Sequence, residues 1–215
     1  MIKLLISLLV VINSSISFAR EIVLTETNHA VLVGEVDANS IDKAVMTLRS
    51  LDSSKPRYLY IDSPGGEVMA GMRLINYLRS SEGKGVICVA NMAMSMGFVS
   101  LQSCETRYVI DNAMLMSHGI AGGVQGYVKQ MESRIRLAKG LEFILDLIQA
   151  KRLGITIAEL HRRQDAEWWL IGSDAIIQAR AADGVVSVSC DKNLGKPKKY
   201  KNTDGTISTI YNCPL

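Results

Sequence analysis

Segments rich in β-forming residues alternate along this chain with segments of helical period. Arg57–Ile61 (RYLYI) and Gly85–Ala90 (GVICVA) have the composition of strands, and Met69–Leu78 between them has helical spacing. Further strands are predicted over residues 30–36, 108–110, 113–117 and 184–186, and further helices over residues 40–51, 94–102, 124–152, 156–163 and 173–181. Strands that alternate with helices predict a layered α/β domain.

The segments between these elements carry turn and loop signals. Ser63-Pro64-Gly65-Gly66 is predicted to be a tight turn between a strand and a helix, and Asp204-Gly205 is a hairpin signal. Residues 20–29 are expected to form a short N-terminal arm. The domain is expected over residues 20–187, followed by a cysteine-containing tail over residues 188–215.

Composition excludes two broad classes of protein. Hydrophobic residues make up 48% of the 215 residues and charged residues 21%, which is typical of a folded chain rather than a disordered one. The formal net charge of +3 is too small to indicate a nucleic-acid partner, and no basic stripe interleaves with aromatic residues. The basic run over residues 196–201 is interpreted as a solvated loop.

The first nineteen residues have the layout of a secretory signal peptide. Lys3 precedes an apolar run, Leu4–Ile12, in which Ser7 is the one polar residue. Ser17-Phe18-Ala19 then supplies a small-x-small ending, so cleavage is expected after Ala19 and the mature protein is expected to be periplasmic or secreted. The apolar run is shorter than the roughly 20 residues that a membrane-spanning helix needs.

Export changes the interpretation of the four cysteines, because an oxidising compartment permits disulfides. Four cysteines allow three pairings. Cys190 and Cys213 flank a polar tail, which favours a bridge between them, whereas Cys88 lies in an apolar run typical of a buried small hydrophobe. No spacing indicates a zinc site, and we predict neither a metal nor a cofactor.

Three short motifs carry polar groups that suit catalysis. The glycine turn Ser63–Gly66 comes first, Ser95 follows at the predicted start of a helix, and His118 lies at the predicted end of a strand. Each alone has an ordinary structural explanation: a turn, a helix cap and a structural histidine. A serine hydroxyl becomes a useful nucleophile when a base lies nearby, so the ordered combination is what indicates function.

Together these motifs resemble the Clp protease proteolytic subunit family, within the crotonase-like superfamily, over residues 31–186. The matching stretches are Tyr58–Gly66 (YLYIDSPGG) followed by Ala70–Met72, Ala93–Gly97 (AMSMG), and Met114–His118 (MLMSH) followed by Gly122-Gly123. Arg107 stands where that family has a basic residue after the nucleophile helix. The resemblance implies a spiral of βαβ units with a long oligomerisation helix.

The resemblance also implies a serine endopeptidase mechanism. Ser95 would be the nucleophile, His118 its base, and the backbone N–H groups of Gly66 and Met96 the oxyanion hole. The family binds peptide as an added strand. The residues implied to flank that strand are Gly65, Glu67, Val68, Gly119, Ile120 and Ala121.

The third member of the triad is where this chain departs from the family pattern. Alignment on Asp174-Ala175 places Glu167 at the position of the family's aspartate, and Asp165 is the alternative acid. A glutamate can orient an imidazole as an aspartate does. Otherwise both are surface acids, and the enzyme is a dyad or is inactive.

The implied partners are a peptide or unfolded polypeptide substrate and further copies of this chain. Residues 124–152 correspond to the family's subunit-packing helix, with Met131, Ile135, Ala138, Leu141, Leu145 and Ile148 at helical spacing, which by itself is also typical of a core-facing helix. No ATPase partner is expected outside the cytoplasm.

Three alternative functions stay open. A Ser-Lys dyad resembling signal peptide peptidase A would use Lys129 or Lys139 as base, made available by burial. A catalytically silent scaffold or binding protein could share the fold. A crotonase-type acyl-CoA enzyme is disfavoured by export and by the Ser-His pair.

Overall fold

The computed structural model describes residues 20–201, 206–210 and 212–215. The strands are β1 (Arg20–Leu24), β2 (His29–Val36), β3 (Arg57–Gly66), β4 (Val86–Met94), β5 (Thr106–Ser117), β6 (Trp168–Ile171), β7 (Gly184–Cys190), β8 (Lys198–Lys201) and β9 (Ile207–Ile210). The helices are α1 (Ala38–Ser50), α2 (Val68–Leu78), α3 (Met96–Gln102), α4 (Val128–Leu153), α5 (Ile157–Gln164) and α6 (Ser173–Gln178).

One sheet organises the domain. Its strand order is β1-β7-β5-β4-β3-β2, with every pair along this path parallel, and β6 joins β5 as an antiparallel partner. Strands β2 to β5 are consecutive neighbours joined by crossovers that contain α1, α2 and α3, which is the repeated βαβ arrangement. The predicted mixed α/β fold of the Clp protease and crotonase type is confirmed.

Helix α1 illustrates how the sequence builds one layer of this domain. Asp37 caps its N-terminus by accepting from Ser40 N at 2.7 Å, and Ser40 Oγ accepts from Asp37 N in return. Ile41, Ala44 and Leu48 recur at helical spacing and are fully buried against the sheet. The other face of the sheet has a smaller core that includes Tyr60 and Val89.

The glycine motif does not form the predicted tight turn. β3 continues through Ser63–Gly66, and its pairing with β2 extends to Val36 opposite Gly66. The glycines instead allow close approach: a Cβ on Gly66 would lie 2.4 Å from the carbonyl oxygen of Val36. The prediction failed because a glycine pair at a strand end signals close backbone contact as well as a turn.

Three further elements differ from the predictions. β5 is one continuous strand over residues 106–117, because β4 pairs with it on both sides of an irregularity between Ala90 and Met92. β6 was not predicted at all. Residues 20–24 form β1, which pairs with β7 instead of being a free arm.

Only the second half of α4 packs against the domain. Leu145, Ala150 and Leu153 are buried, whereas Ile135 is 42% exposed and Leu137 60% exposed. The interpretation of the whole segment as a core-facing helix is therefore wrong for its first half. No helix in the described part of the chain is long and apolar enough to span a membrane.

The tail begins where β7 ends. Cys190, the last residue of β7, forms a disulfide with Cys213, and β8 pairs antiparallel with β9. The hairpin residues Asp204 and Gly205, like the predicted signal peptide over residues 1–19, lie outside the described residues.

Candidate active site

Ser95 occupies a sharp turn between β4 and α3. Its backbone has φ 51° and ψ −119°, a conformation that residues other than glycine rarely adopt. The turn is fixed by a hydrogen bond from Ser95 N to the carbonyl oxygen of Met116 in β5, at 2.9 Å. The turn leaves the serine half-buried at the carboxyl end of the parallel sheet, the edge at which ligands bind in open α/β sheets.

The end of β3 lies against this turn. Gly65 N donates to Ser63 Oγ at 3.1 Å, and Gly65 itself is buried with φ 96°. A Cβ at Gly65 would lie 2.6 Å from Ser95 Cβ and 3.0 Å from Met96 N. Only glycine can therefore bring this strand so close to the serine and to the first amide of α3.

β3 and β5 both extend beyond the end of β4. The last β4 residues pair as Ala93 with Ser63 and Met94 with Met116, whereas β3 continues to Gly66 and β5 to Ser117. This leaves a slot between the two flanking strands, in line with β4. The slot opens directly beside Ser95.

Ser95 and His118 line the same pocket. His118 follows the last residue of β5 and is half-buried. The lining residues are Gly66, Val68, Ser95, Met96, Val99, His118, Gly119, Ile120, Ala121, Glu142, Leu145, Asp146 and Gln149. The structure thus brings together the predicted nucleophile, base and oxyanion-hole residues with four of the predicted substrate-binding residues, while Gly65 and Glu67 lie outside this lining.

Neither of the two candidate acids is among the residues that line the pocket. β6 pairs with β5 so that Trp168 lies opposite Ser117, and Glu167 and His118 directly adjoin this last pair in the chain. Glu167 is exposed, has φ 66°, and its carboxylate accepts from Trp169 Nε1 at 3.1 Å. Asp165 directly follows α5 and is also exposed.

The candidate bases for a Ser-Lys dyad do not reach the pocket. Lys129 and Lys139 are both exposed on the first half of α4, and neither lines the cavity. The burial that this alternative requires is absent at both positions.

Comparison with known proteins places this architecture in a family. Residues 13–183 match the family model described as Clp protease. The chain belongs to the Clp protease family. It is 30% identical over 152 residues to the ATP-dependent Clp protease proteolytic subunit of Streptococcus pyogenes serotype M5 (strain Manfredo), covering 67% of this chain and 78% of the relative. It is 29% identical over 141 residues to the ATP-dependent Clp protease proteolytic subunit 2 of Tropheryma whipplei (strain Twist), covering 65% and 78%.

In this Clp protease family member the pocket lining also includes three polar residues of α4 that the sequence predictions missed, here called the pocket floor: Glu142, Asp146 and Gln149. Their spacing of four and three places them on one face of the helix. That spacing is present in the sequence, but the apolar periodicity of α4 by itself does not single it out.

A buried hydrogen-bond network supports the floor. Ser117 Oγ donates to Gln149 Oε1 at 2.7 Å, and Gln164 Nε2 donates to Ser117 Oγ at 2.8 Å. These three residues come from β5, α4 and α5, and all are buried. The network therefore fixes the strand end that carries His118 relative to both helices.

Asp146 is the most buried charged group of the pocket floor. Its Oδ2 lies 2.7 Å from His161 Nε2 of α5. Burial raises the pKa of the Asp146 carboxyl, and the hydrogen bond with His161 acts in the opposite direction. Glu142 Oε1 accepts from Ile120 N at 2.9 Å and so ties the segment after His118 to α4.

No group of three or more metal-binding side chains converges within residues 20–201, 206–210 and 212–215. The site residues identified above are a serine, a histidine, backbone amides and carboxylates. These groups suit acyl transfer to water through a covalent intermediate.

Proposed function

We propose that this protein is a serine endopeptidase that cleaves peptides or unfolded polypeptides. The proposal depends on one observation: Ser95 occupies a strained strand-to-helix turn inside a pocket that His118 shares. Ser95 Oγ attacks the peptide carbonyl while His118 takes its proton. His118 then gives that proton to the leaving amine, and water hydrolyses the acyl-enzyme by the same route.

The backbone N–H groups of Gly66 and Met96 stabilise the oxyanion in this scheme. Both residues line the pocket, and Met96 is the first residue of α3, where amides have no partner within the helix. Loss of one such donor typically raises the barrier by about 3–4 kcal/mol. The close approach of Gly65 to Ser95 is what brings the two donors together.

The substrate is expected to bind as an added strand in the slot beyond β4. A peptide there would lie between the end of β3 and the segment Gly119–Ala121, continuing the sheet past Ser95. The N–H of Ile120 is already used by Glu142, so the peptide would pair with the other backbone groups of this segment. Val68 and Ala121 would contact its side chains.

Glu167 completes the triad in this proposal. The pairing of β5 with β6 supports this assignment over Asp165, because Glu167 and His118 directly adjoin the last pair, Ser117 with Trp168. The carboxylate accepts from Trp169 in the present structure, so a rotation of its side chain toward the imidazole accompanies substrate binding.

The cellular setting and assembly are part of the proposal. The N-terminal sequence supports export, so the enzyme acts on its substrates without an ATPase partner. The exposed apolar residues on α4, including Leu137, Phe143 and Leu147, support a homo-oligomer that buries this helix between copies.

Labelling with a fluorophosphonate tests the function. The purified mature protein should react at Ser95, located by mass spectrometry of the modified peptide, and His118→Ala should abolish the reaction. Ser95→Ala should lose peptidase activity while keeping its circular dichroism and thermal transition. Folded, assembled protein that is not labelled and cleaves no peptide would refute the proposal and favour a silent scaffold.

A further inference from the structure

The polar groups of the pocket floor give the pocket an acidic character. Glu142 and Asp146 both line it, and no lysine or arginine is among the described residues that do. The pocket also contains Ser95, so the substrate side chain that enters it is that of the residue whose carbonyl the serine attacks. The chemistry of the floor therefore bears on which residues can be cleaved.

Asp146 lines this pocket and has one carboxylate oxygen without a hydrogen-bond partner in the described part of the chain. Its side chain is only 4% exposed, and Oδ2 is used by His161 on the side of α5. The other oxygen, Oδ1, has no hydrogen-bond partner among the described residues. It is not completely enclosed by protein atoms, so a ligand could reach it. A buried carboxylate needs donors for its lone pairs, and here the pocket is the place from which one can come.

The other two floor residues each have one oxygen in a hydrogen bond within the protein. Glu142 Oε1 accepts from Ile120 N, and Gln149 Oε1 accepts from Ser117. The amide of Gln149 donates to the carbonyl oxygen of Leu145 at 3.3 Å. Asp146 differs from Glu142 in being almost fully buried, so its free oxygen has the greater need of a donor supplied through the pocket.

The walls between the rim and Asp146 are apolar. Val68, Val99 and Leu145 line them, so a long aliphatic stem would pack well while its polar end reached the carboxylate. Lysine and arginine combine such a stem with a cationic donor, and an acidic residue at the base of a pocket selects them in other serine proteases.

We propose that the pocket binds the basic side chain of a lysine or arginine at the cleaved residue, with Asp146 as the specificity residue. This inference rests on the proposed peptidase function and adds the substrate class. His161 acts as a positioning residue, because its hydrogen bond to Oδ2 fixes the orientation of the Asp146 carboxylate.

A matched pair of fluorogenic peptides tests the inference. The two differ only in arginine or citrulline at the cleaved residue, so they share shape but differ in charge. Wild-type enzyme should prefer arginine by about tenfold or more in kcat/KM, and Asp146→Asn should bring the ratio near one. Glu132→Gln, which removes a carboxylate from the exposed half of the same helix, should keep the wild-type ratio.

The ratio separates specificity from general damage. A purely structural role for Asp146 would lower kcat/KM for both peptides equally and leave the ratio unchanged, which would overturn the inference. Wild-type enzyme that cleaves both peptides equally would also overturn it, although the peptidase function would stand. Failure to cleave any peptide or to label Ser95 would refute the function itself.

A second measurement needs no variant, in case Asp146→Asn does not fold. Wild-type enzyme is incubated with a reduced, unfolded protein, and the cleavage sites are read by mass spectrometry. Cleavage concentrated after lysine and arginine supports the acidic pocket. Cleavage concentrated after apolar residues overturns it.

Discussion

Ser95 and Glu167 both have a positive φ, but their surroundings differ. The nucleophile side of the site, formed by Gly65 and the segment from Ser95 to Gln102, is tied to β3 and β5 and almost entirely buried. The acid side, formed by Asp165–Trp169, is mostly exposed. The conformation of Glu167 depends on local contacts: Glu167 N donates to Gln164 O, and its carboxylate accepts from Trp169.

This difference indicates which side of the site the fold holds rigid. A strained backbone persists only where the surrounding structure fixes it. The Cys88–Cys104 disulfide connects β4 to the turn that follows α3, and Arg107 donates to Gln102, the last residue of that helix. The nucleophile is therefore held before substrate arrives, whereas the acid is free to adjust.

The largest effect is expected from Gly65→Ala, which directly changes the packing of the nucleophile side. The new Cβ would collide with Ser95 Cβ and with the carbonyl oxygen of Met94 at 2.7 Å, displacing both the nucleophile and the amide of Met96. We expect kcat/KM to fall on the order of 10³-fold, as when an oxyanion donor is lost. The rate of fluorophosphonate labelling should fall in parallel.

Gly34→Ala is the matched control. Gly34 also has a positive φ, 79°, but a Cβ added there would meet no other atom within contact distance. The substitution therefore introduces backbone strain without a steric clash. It should lower stability by about 1 kcal/mol and leave kcat/KM unchanged. A Gly65→Ala enzyme with wild-type kcat/KM would show that the nucleophile side is not rigid.

The second effect concerns the disulfide that spans the nucleophile segment. The sequence separation of Cys88 and Cys104 is 16 residues, and removing a bridge over such a loop costs about 3 kcal/mol. The double variant Cys88→Ala/Cys104→Ala should lower both the melting temperature and the rate of Ser95 labelling. The measurements are calorimetry and labelling kinetics on oxidised protein.

The second disulfide supplies the comparison, because it closes the tail far along the chain from Ser95. Cys190→Ala/Cys213→Ala should leave the labelling rate unchanged. Non-reducing peptide mapping of exported protein should show both bridges. Equal loss of labelling in the two double variants would contradict a specific role for the Cys88–Cys104 bridge.

A smaller effect is expected on the acid side. Glu167→Gln should lower kcat by about tenfold, less than the 10⁴ known for a fully buried triad acid, because the carboxylate is exposed and shared with Trp169. Asp165→Asn should lower kcat less. Trp169→Phe, which frees the Glu167 carboxylate, should raise kcat slightly. The reverse order of the two acids would move the triad to Asp165.

The residues of the nucleophile side could be predicted from the sequence more readily than those of the acid side. Ser95 lies between the glycine motif and His118 in chain order, and this ordered combination of three motifs allowed its position to be predicted. β6 is four residues long and depends on pairing with β5, which no local pattern encodes. The proximity of Asp146 to His161 and the bond of Cys88 to Cys104 likewise arise from packing between elements. Cys88 was therefore interpreted as a buried small hydrophobe.

The smallest predicted effect is a pH dependence at the far end of the nucleophile helix. Arg107 joins Gln102 to Asp183, with Arg107 Nη2 2.7 Å from Asp183 Oδ1. Burial acts to raise the pKa of the Asp183 carboxyl, but hydrogen bonds and charge from Arg107, with a contribution from Arg152, outweigh it and lower the pKa. The unfolded chain therefore binds this proton more readily than the folded one.

The carboxylate consequently contributes stability that is complete above the unfolded pKa of about 4 and is lost as pH falls through the lower folded value. Denaturant midpoints measured between pH 7 and pH 2 should fall less steeply below pH 4 in Asp183→Asn than in the wild type. Asp174→Asn, at an exposed carboxylate in the first turn of α6, should keep the wild-type slope. If the denaturant midpoint of Asp183→Asn fell with pH as steeply as that of the wild type, Asp183 would not be the group that links acid stability to α3. The nucleophile side would then be anchored by the disulfide and by the contacts with β3 and β5.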